Sequence, residues 1–163
     1  MHKIDILSKP REEQFKLLFE AENGGKVLEH LLLQKGKDYN SILTSAIEFA
    51  KQGKTAEILP VINQKELKEY RKSVFLDYDL NKNPDLRVDG VYHDIKEVSN
   101  LKTFVRNTNR AYEQGAIAIL QNDDLDNFND IQKRVKDIFK NGEYRYDIVF
   151  VLNKGKLYKF NRD

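Results

Sequence analysis

Residues 83–98, NPDLRVDGVYHDIKEV, constrain the fold more than any other stretch of the chain. Apolar and polar residues alternate on both sides of Asp89-Gly90, a dipeptide suited to the two left-handed positions of a type I′ turn. With Asp89 and Gly90 at the centre of that turn, Val88 pairs with Val91, Arg87 with Tyr92, Leu86 with His93 and Asp85 with Asp94. Directly paired residues point to one face with Cβ atoms about 5 Å apart, and Lys96, two residues beyond Asp94, shares that face. Two carboxylates and a lysine are therefore expected to converge, while His93 and Glu97 fall on the other face with Val91 and Ile95.

Like charges placed opposite each other destabilise a hairpin unless something offsets them. A divalent cation held by carboxylate oxygens and water does so, and it can polarise a phosphoryl oxygen or make a bound water nucleophilic. Lys96 would then orient that water or stabilise developing negative charge, which is the chemistry of phosphodiester hydrolysis. The same spacing also fits a solvated hairpin edge on which Lys96 neutralises both acids, and one register slip would turn Asp85 to the opposite face. His93 reads as a structural or surface residue before it reads as a ligand.

The 163 residues suit one domain spanning 1–163, with a helical N-terminal extension over 1–39 and a core over 40–163. The absence of cysteine excludes disulfides, thiolate metal sites and a cysteine nucleophile. With 28 Lys plus Arg against 26 Asp plus Glu, the charge is too balanced to predict a nucleic-acid partner by itself, so any basic surface must be local. No apolar run suits a signal peptide or approaches the roughly 20 residues of a membrane span, so a soluble protein with no membrane partner is expected.

Hydrophobic period predicts a helix over 10–21 (PREEQFKLLFEA), helix or strand over 26–35, a helix over 40–52 and a strand over 55–62. A short charged helix or turn follows over 64–72 and a loop over 74–83. After the hairpin come a helix from Thr103 to Gln114, a buried strand over 116–121 and an amphipathic helix over 127–140. Two strands, 146–153 and 156–160, flank Asn153-Lys154-Gly155. That order means an α/β (α+β) domain with a mixed central sheet and flanking helices. On the helix ending at Gln114, Arg106, Arg110 and Gln114 share a face with Asn107 beside them, either gripping phosphates or merely solvated. Basic residues at Lys65, Lys68, Arg71 and Lys72 and at Lys133, Arg134, Lys136 and Lys140 are interrupted by acids and fit either role.

Pro84-Asp85 followed nine residues later by Asp94-Ile95-Lys96 resembles the PD-(D/E)XK nuclease motif with aspartate at the D/E position. The elements from Asn40 to Gln121 follow the αβββαβ order of that superfamily's core, here with a further C-terminal helix and β-hairpin. AIEFAKQGKTAEILP before the motif and RNTNRAYEQGAIAIL after it are similar to nuclease toxin domains. Those domains end contact-dependent inhibition and other polymorphic toxins, and also occur in phage head-associated proteins; the likeness covers about residues 40–160.

The resemblance implies Asp85 and Asp94 as ligands of Mg²⁺ or Mn²⁺, Lys96 as the catalytic lysine and Gln114 as the glutamine of the following helix. Arg106, Asn107 and Arg110 would contact substrate. Glu48 matches the acid of the preceding helix, but it lies roughly opposite the apolar stripe of Ile42, Leu43, Ala46, Ile47 and Ala50 and so reads as a surface residue. RNA, tRNA in particular, is implied over DNA. So are a cognate immunity protein and action in the cytoplasm, after delivery as the C-terminus of a secreted toxin. Two other readings stand beside it. One is a metal-independent RNase of the barnase, colicin or RelE type using His93, Lys96, Thr103, Arg106 and Tyr112. The other is a non-catalytic nucleic-acid- or protein-binding module.

Overall fold

The strands of the chain lie side by side in the order in which they occur. The computed structural model describes residues 2–122, 127–141 and 147–162. Its single sheet runs β1 (Phe15–Glu20), β2 (Lys26–His30), β3 (Thr55–Ile58), β4 (Leu86–Val88), β5 (Val91–Glu97), β6 (Ile117–Gln121), β7 (Ile148–Asn153) and β8 (Lys156–Asn161). The steps β2 to β3, β5 to β6 and β6 to β7 are parallel and the others antiparallel. A helix spans each parallel step, as a crossover between parallel neighbours requires: α2 (Tyr39–Lys51), α4 (Phe104–Glu113) and α5 (Phe128–Lys140). Two short helices, α1 (Lys3–Leu7) and α3 (Arg71–Val74), lie outside these crossovers. The mixed sheet with flanking helices agrees with the expectation from element order.

Strand alternation divides the core between the two faces of the sheet. On one, Phe49 and Ala46 of α2 pack with Ile58, Leu86, Ile95, Ile119 and Phe150. On the other, Phe104 and Ala111 of α4 and Ile131 and Val135 of α5 pack with Ala118, Leu120, Val149 and Val151. A third cluster includes Tyr92 and lies beneath Leu67, Val74 and Phe75. His93 and Ile95 thus face α2, whereas Tyr92, Asp94 and Lys96 face the α4 side. No helix among the described residues is long and apolar enough to cross a membrane.

Residues 10–21, expected as a helix, form one 3₁₀ turn over Arg11–Gln14 and then β1. The 1–39 extension is correspondingly a short helix and a β-hairpin that pairs through β2 with β3, rather than helical throughout. The proline and early acids do start a turn, but Gln14 is buried and bonded to His30, and Phe15 meets the His30 ring edge-on at 4.9 Å. These contacts with β2 decide a short apolar run that period alone leaves ambiguous. Lys26–His30, open between helix and strand, is a strand. It begins hard against the end of α2, where a Cβ on Gly25 would stand 1.8 Å from the Ala50 carbonyl oxygen. The strand expected over 55–62 ends at Ile58, and the expected strand residue Tyr146 lies outside the described residues.

Candidate active site

The hairpin forms with the register that its turn demands: Leu86 opposite His93, Arg87 opposite Tyr92, Val88 opposite Val91. Asp89 and Gly90 both have positive φ, 45° and 86°, as type I′ requires. The turn is also anchored on β3, since Asp89 N donates to Thr55 O at 3.0 Å and Thr55 N donates to Asp89 Oδ1 at 2.9 Å. Just before β4, the Asp85 carbonyl accepts from Leu59 N at 3.0 Å, and its Oδ2 accepts from Ile95 N at 2.8 Å. Asp85 is therefore held from both neighbouring strands.

The Asp85 carboxyl is hydrogen-bonded to that of Asp94, which is 5% exposed. Burial, then the charge of Asp94 and the bond between the two groups, push the Asp85 pKa from 3.8 to about 8. The Ile95 amide and Lys96 oppose this only in part. At neutral pH the pair keeps a proton rather than carry two negative charges. Lys96 Nζ lies 2.8 Å from Asp94 Oδ2. Gln114, the residue ending α4, closes the group: its Nε2 donates to Asp94 Oδ2 and its Oε1 accepts from Lys96 Nζ at 3.2 Å, the amide orientation that satisfies both partners. Asp85, Asp94, Lys96 and Gln114 thus meet on the α4 face of the sheet.

The walls of this site come from residues with no motif. Tyr92 Oη donates to Leu76 O at 2.6 Å, and Tyr78 Oη donates to the Gln114 carbonyl. The segment carrying Leu76 and Tyr78 is thereby fastened to β5 and to the end of α4. Arg71 holds the same segment from the other side, donating to Ile62 O at 2.7 Å, Asn83 Oδ1 at 2.9 Å and the carbonyls of Leu80 and Lys82. Those bonds fix the chain entering Pro84-Asp85. An open cleft of about 580 Å³ adjoins it, bounded by Lys68, Lys72, Tyr78 and Leu80.

A second buried network shares the same sheet face. Glu57 of β3 receives both Arg11, at 2.5 and 3.0 Å, and Arg87 of β4, at 3.1 Å. Arg11 also donates to Val74 O at 3.1 Å, tying the N-terminal segment to α3. A charged residue inside the apolar run TAEILP was the available sequence signal for Glu57. Its partners needed the pairing of β3 with β4.

Other expected site residues lie elsewhere. Glu48 pairs with Lys51 at 3.7 Å on α2, across the sheet from Asp94. His93 also faces α2: it is 4% exposed, its ring lies 5.2 Å from Phe49 and 5.4 Å from Phe150, and Nδ1 donates to Val91 O. Burial lowers its pKa to about 4. The His93 and Lys96 of the metal-independent arrangement are therefore on opposite faces of β5. Asn107, expected at the substrate face, is buried, with Nδ2 donating to Thr103 O of its own helix region. Its position just inward of the arginine row turns it to the core. Arg106 and Arg110 are exposed, and neither makes an ion pair among the described residues.

A hard cation such as Mg²⁺ keeps several waters and needs only one or two carboxylates from the protein. Asp85 and Asp94 fit that donor set, and such an ion would take the place of the proton they share. A cage made wholly of protein ligands is not formed: among the described residues no group of three or more His, Cys, Asp or Glu gathers.

None of the curated protein sequences compared with this chain matches it. Residues 82–157, from just before Pro84-Asp85 into β8, match the sequence model of the family described as the contact-dependent growth inhibition CdiA C-terminal domain. Among solved structures the chain is similar to one from Burkholderia pseudomallei described as a CdiA-CT/CdiI toxin and immunity complex. The two share 15% identity over 79% of this chain and 90% of that one, with a TM-score of 0.51. The fold built around the carboxylate pair is thus one also found in a contact-dependent inhibition toxin–immunity complex.

Proposed function

We propose that this chain is a toxin-type nuclease domain that hydrolyses phosphodiester bonds with a divalent metal ion. The observation that carries the proposal is the meeting of Asp85, Asp94, Lys96 and Gln114 in one bonded group. Asp85 and Asp94 would hold Mg²⁺ or Mn²⁺, which when bound supplies Lewis acidity toward a phosphoryl oxygen and lowers the pKa of water. Lys96, held by Asp94 and Gln114, carries a fixed positive charge to the place where negative charge develops on phosphorus oxygens. Gln114 keeps the lysine aimed and occupies one Asp94 oxygen, leaving the other carboxylate oxygens free of its amide. Arg106 and Arg110, exposed on the same helix, suit the phosphates of a polynucleotide, where the planar guanidinium matches two oxygens at once.

RNA, and tRNA within it, is the substrate favoured by the resemblance of the flanking segments to nuclease toxin domains. A cognate immunity protein is proposed on the same footing, because the similar solved structure is a toxin and immunity complex. The test is incubation of the purified protein with total tRNA and with plasmid DNA in Mg²⁺, Mn²⁺ or EDTA, beside Asp94→Asn and Lys96→Met. Cleavage that requires metal and disappears in both variants is expected. Undiminished cleavage by either variant, or in EDTA, would sink the paired-carboxylate mechanism. An absence of cleavage under every condition would point instead to a binding module.

A further inference from the structure

On the same side of the sheet as the carboxylate pair, but beyond α5, a second groove of about 400 Å³ runs between α5 and the edge strand β8. Phe128, Gln132 and Lys136 follow one another at i, i+4, i+8 along α5, Tyr158 faces them from β8, and Lys159, paired with Phe150 and so turned toward the other face, borders the groove at the sheet's edge. The Phe128 and Tyr158 rings lie 4.2 Å apart and 34° from parallel, both half-buried, so part of each ring surface meets solvent. Among the described residues, every charged residue lining the groove is a lysine. Lys136 and Lys159 are exposed, and neither makes an ion pair among the described residues.

A row of lysines on an amphipathic helix is ordinarily a solvated face, and aromatic residues beside it are ordinarily core. Here two half-buried rings in contact and two exposed ammonium groups line one concavity, with no carboxylate among its described lining residues. An acidic peptide would satisfy the lysines but leave the rings without a planar partner. A single-stranded polynucleotide satisfies both, since each unit brings a phosphate and a base with a π face.

We infer that the groove between α5 and β8 binds a single-stranded segment of nucleic acid, with Lys136 and Lys159 on phosphates and Tyr158 under a base. As a substrate exosite the groove rests on the nuclease reading; as a binding site it does not. It would then hold the polynucleotide at a distance from the reacting bond, three strands or about 14 Å across the sheet from β5.

Binding is measured by fluorescence anisotropy of labelled oligouridylate and oligothymidylate on the Asp94→Asn protein in EDTA, so that cleavage plays no part. Replacing Lys136 and Lys159 together by Gln is expected to flatten the slope of log K against log salt by about 1.4, for two phosphates on a single strand. Tyr158→Ala is expected to weaken binding about 5- to 150-fold, the loss of one stacked base, and Tyr158→Phe to restore it. Thermal melting of each variant separates these effects from misfolding. Variants that fold and bind either oligonucleotide as the parent does would overturn the inference, as would a parent that binds neither. A groove that binds in a protein that cleaves nothing would instead leave it standing and remove the nuclease reading. Preference for one oligonucleotide identifies its source as RNA or DNA.

Discussion

Two buried polar groups occupy the same face of the sheet on adjoining strands, and they are built on opposite principles. Around Glu57 one carboxylate receives two guanidinium groups, so attraction and hydrogen bonding act together, with Val74 O taking further donors of Arg11. Around Asp94 two carboxylates are pressed together with one lysine between Asp94 and Gln114, and burial first, then the charge of Asp94, keeps a proton on the pair. The first arrangement offsets its burial with opposite charge. The second stores repulsion that a cation would relieve, and Asp85 and Asp94 are the place to look for chemistry although both networks contain acids.

The largest effect that would break this contrast is on turnover. Asp94→Asn should lower polynucleotide cleavage by about 10³-fold while leaving the protein folded, because the amide spares the burial of a negative charge beside Asp85, which offsets part of the loss of the Lys96 ion pair. A variant that unfolded instead would make Asp94 as structural as Glu57. In the other network the loss falls on stability: Glu57→Ala strands two guanidinium groups and should cost about 2–3 kcal/mol in urea unfolding. That lies below the 3–5 of full burial because the arginine side chains are 17% and 20% exposed. A cost under about 0.5 kcal/mol would show that the triad is not what fastens the N-terminal segment.

The pH dependence sharpens the comparison further. An acid whose pKa rises from 3.8 to about 8 on folding binds a proton in the native state that the unfolded chain has already released between those values. Stability therefore falls as pH rises from about 4 to about 8 and is flat above. Asp85→Asn should abolish that slope, and Mg²⁺ should raise the melting temperature at pH 8 in the parent but not in Asp94→Asn. Melting curves that ignore both changes would remove the stored repulsion. Smaller effects follow: Gln114→Ala should reduce cleavage about 10-fold by loosening Lys96. Glu48→Ala, across the sheet, should alter neither cleavage nor stability beyond about 0.5 kcal/mol.

Much of the site was legible because its parts are local. Asp89-Gly90 demands left-handed backbone, a two-residue turn fixes the pairing, and alternation then sends Asp85, Asp94 and Lys96 to one side. Gln114 was reached through the family resemblance, and the structure supplies its physical role at the end of α4. Residues 10–21 were misread for the complementary reason. FKLLFE fits helical spacing, and only its pairing with β2 makes it a strand. Asn107 likewise sits beside Arg106 in sequence, but the rotation of about 100° between successive helical residues carries it to the buried side.

By itself, then, the sequence determined the hairpin, its register, the convergence of two acids with a lysine and the alternation of helices with strands. All of these rest on contacts between near neighbours, where backbone geometry leaves few alternatives. Tertiary structure alone decided that β2 lies beside β3 and brings the N-terminal hairpin into the sheet, and that Glu57 meets Arg11 across 46 positions. It also decided that Arg71 bonds Asn83 in the chain entering Pro84-Asp85 and that Tyr78 bonds the Gln114 carbonyl. Such contacts join segments whose own patterns do not refer to one another, and their free energy appears only once the sheet has closed between them.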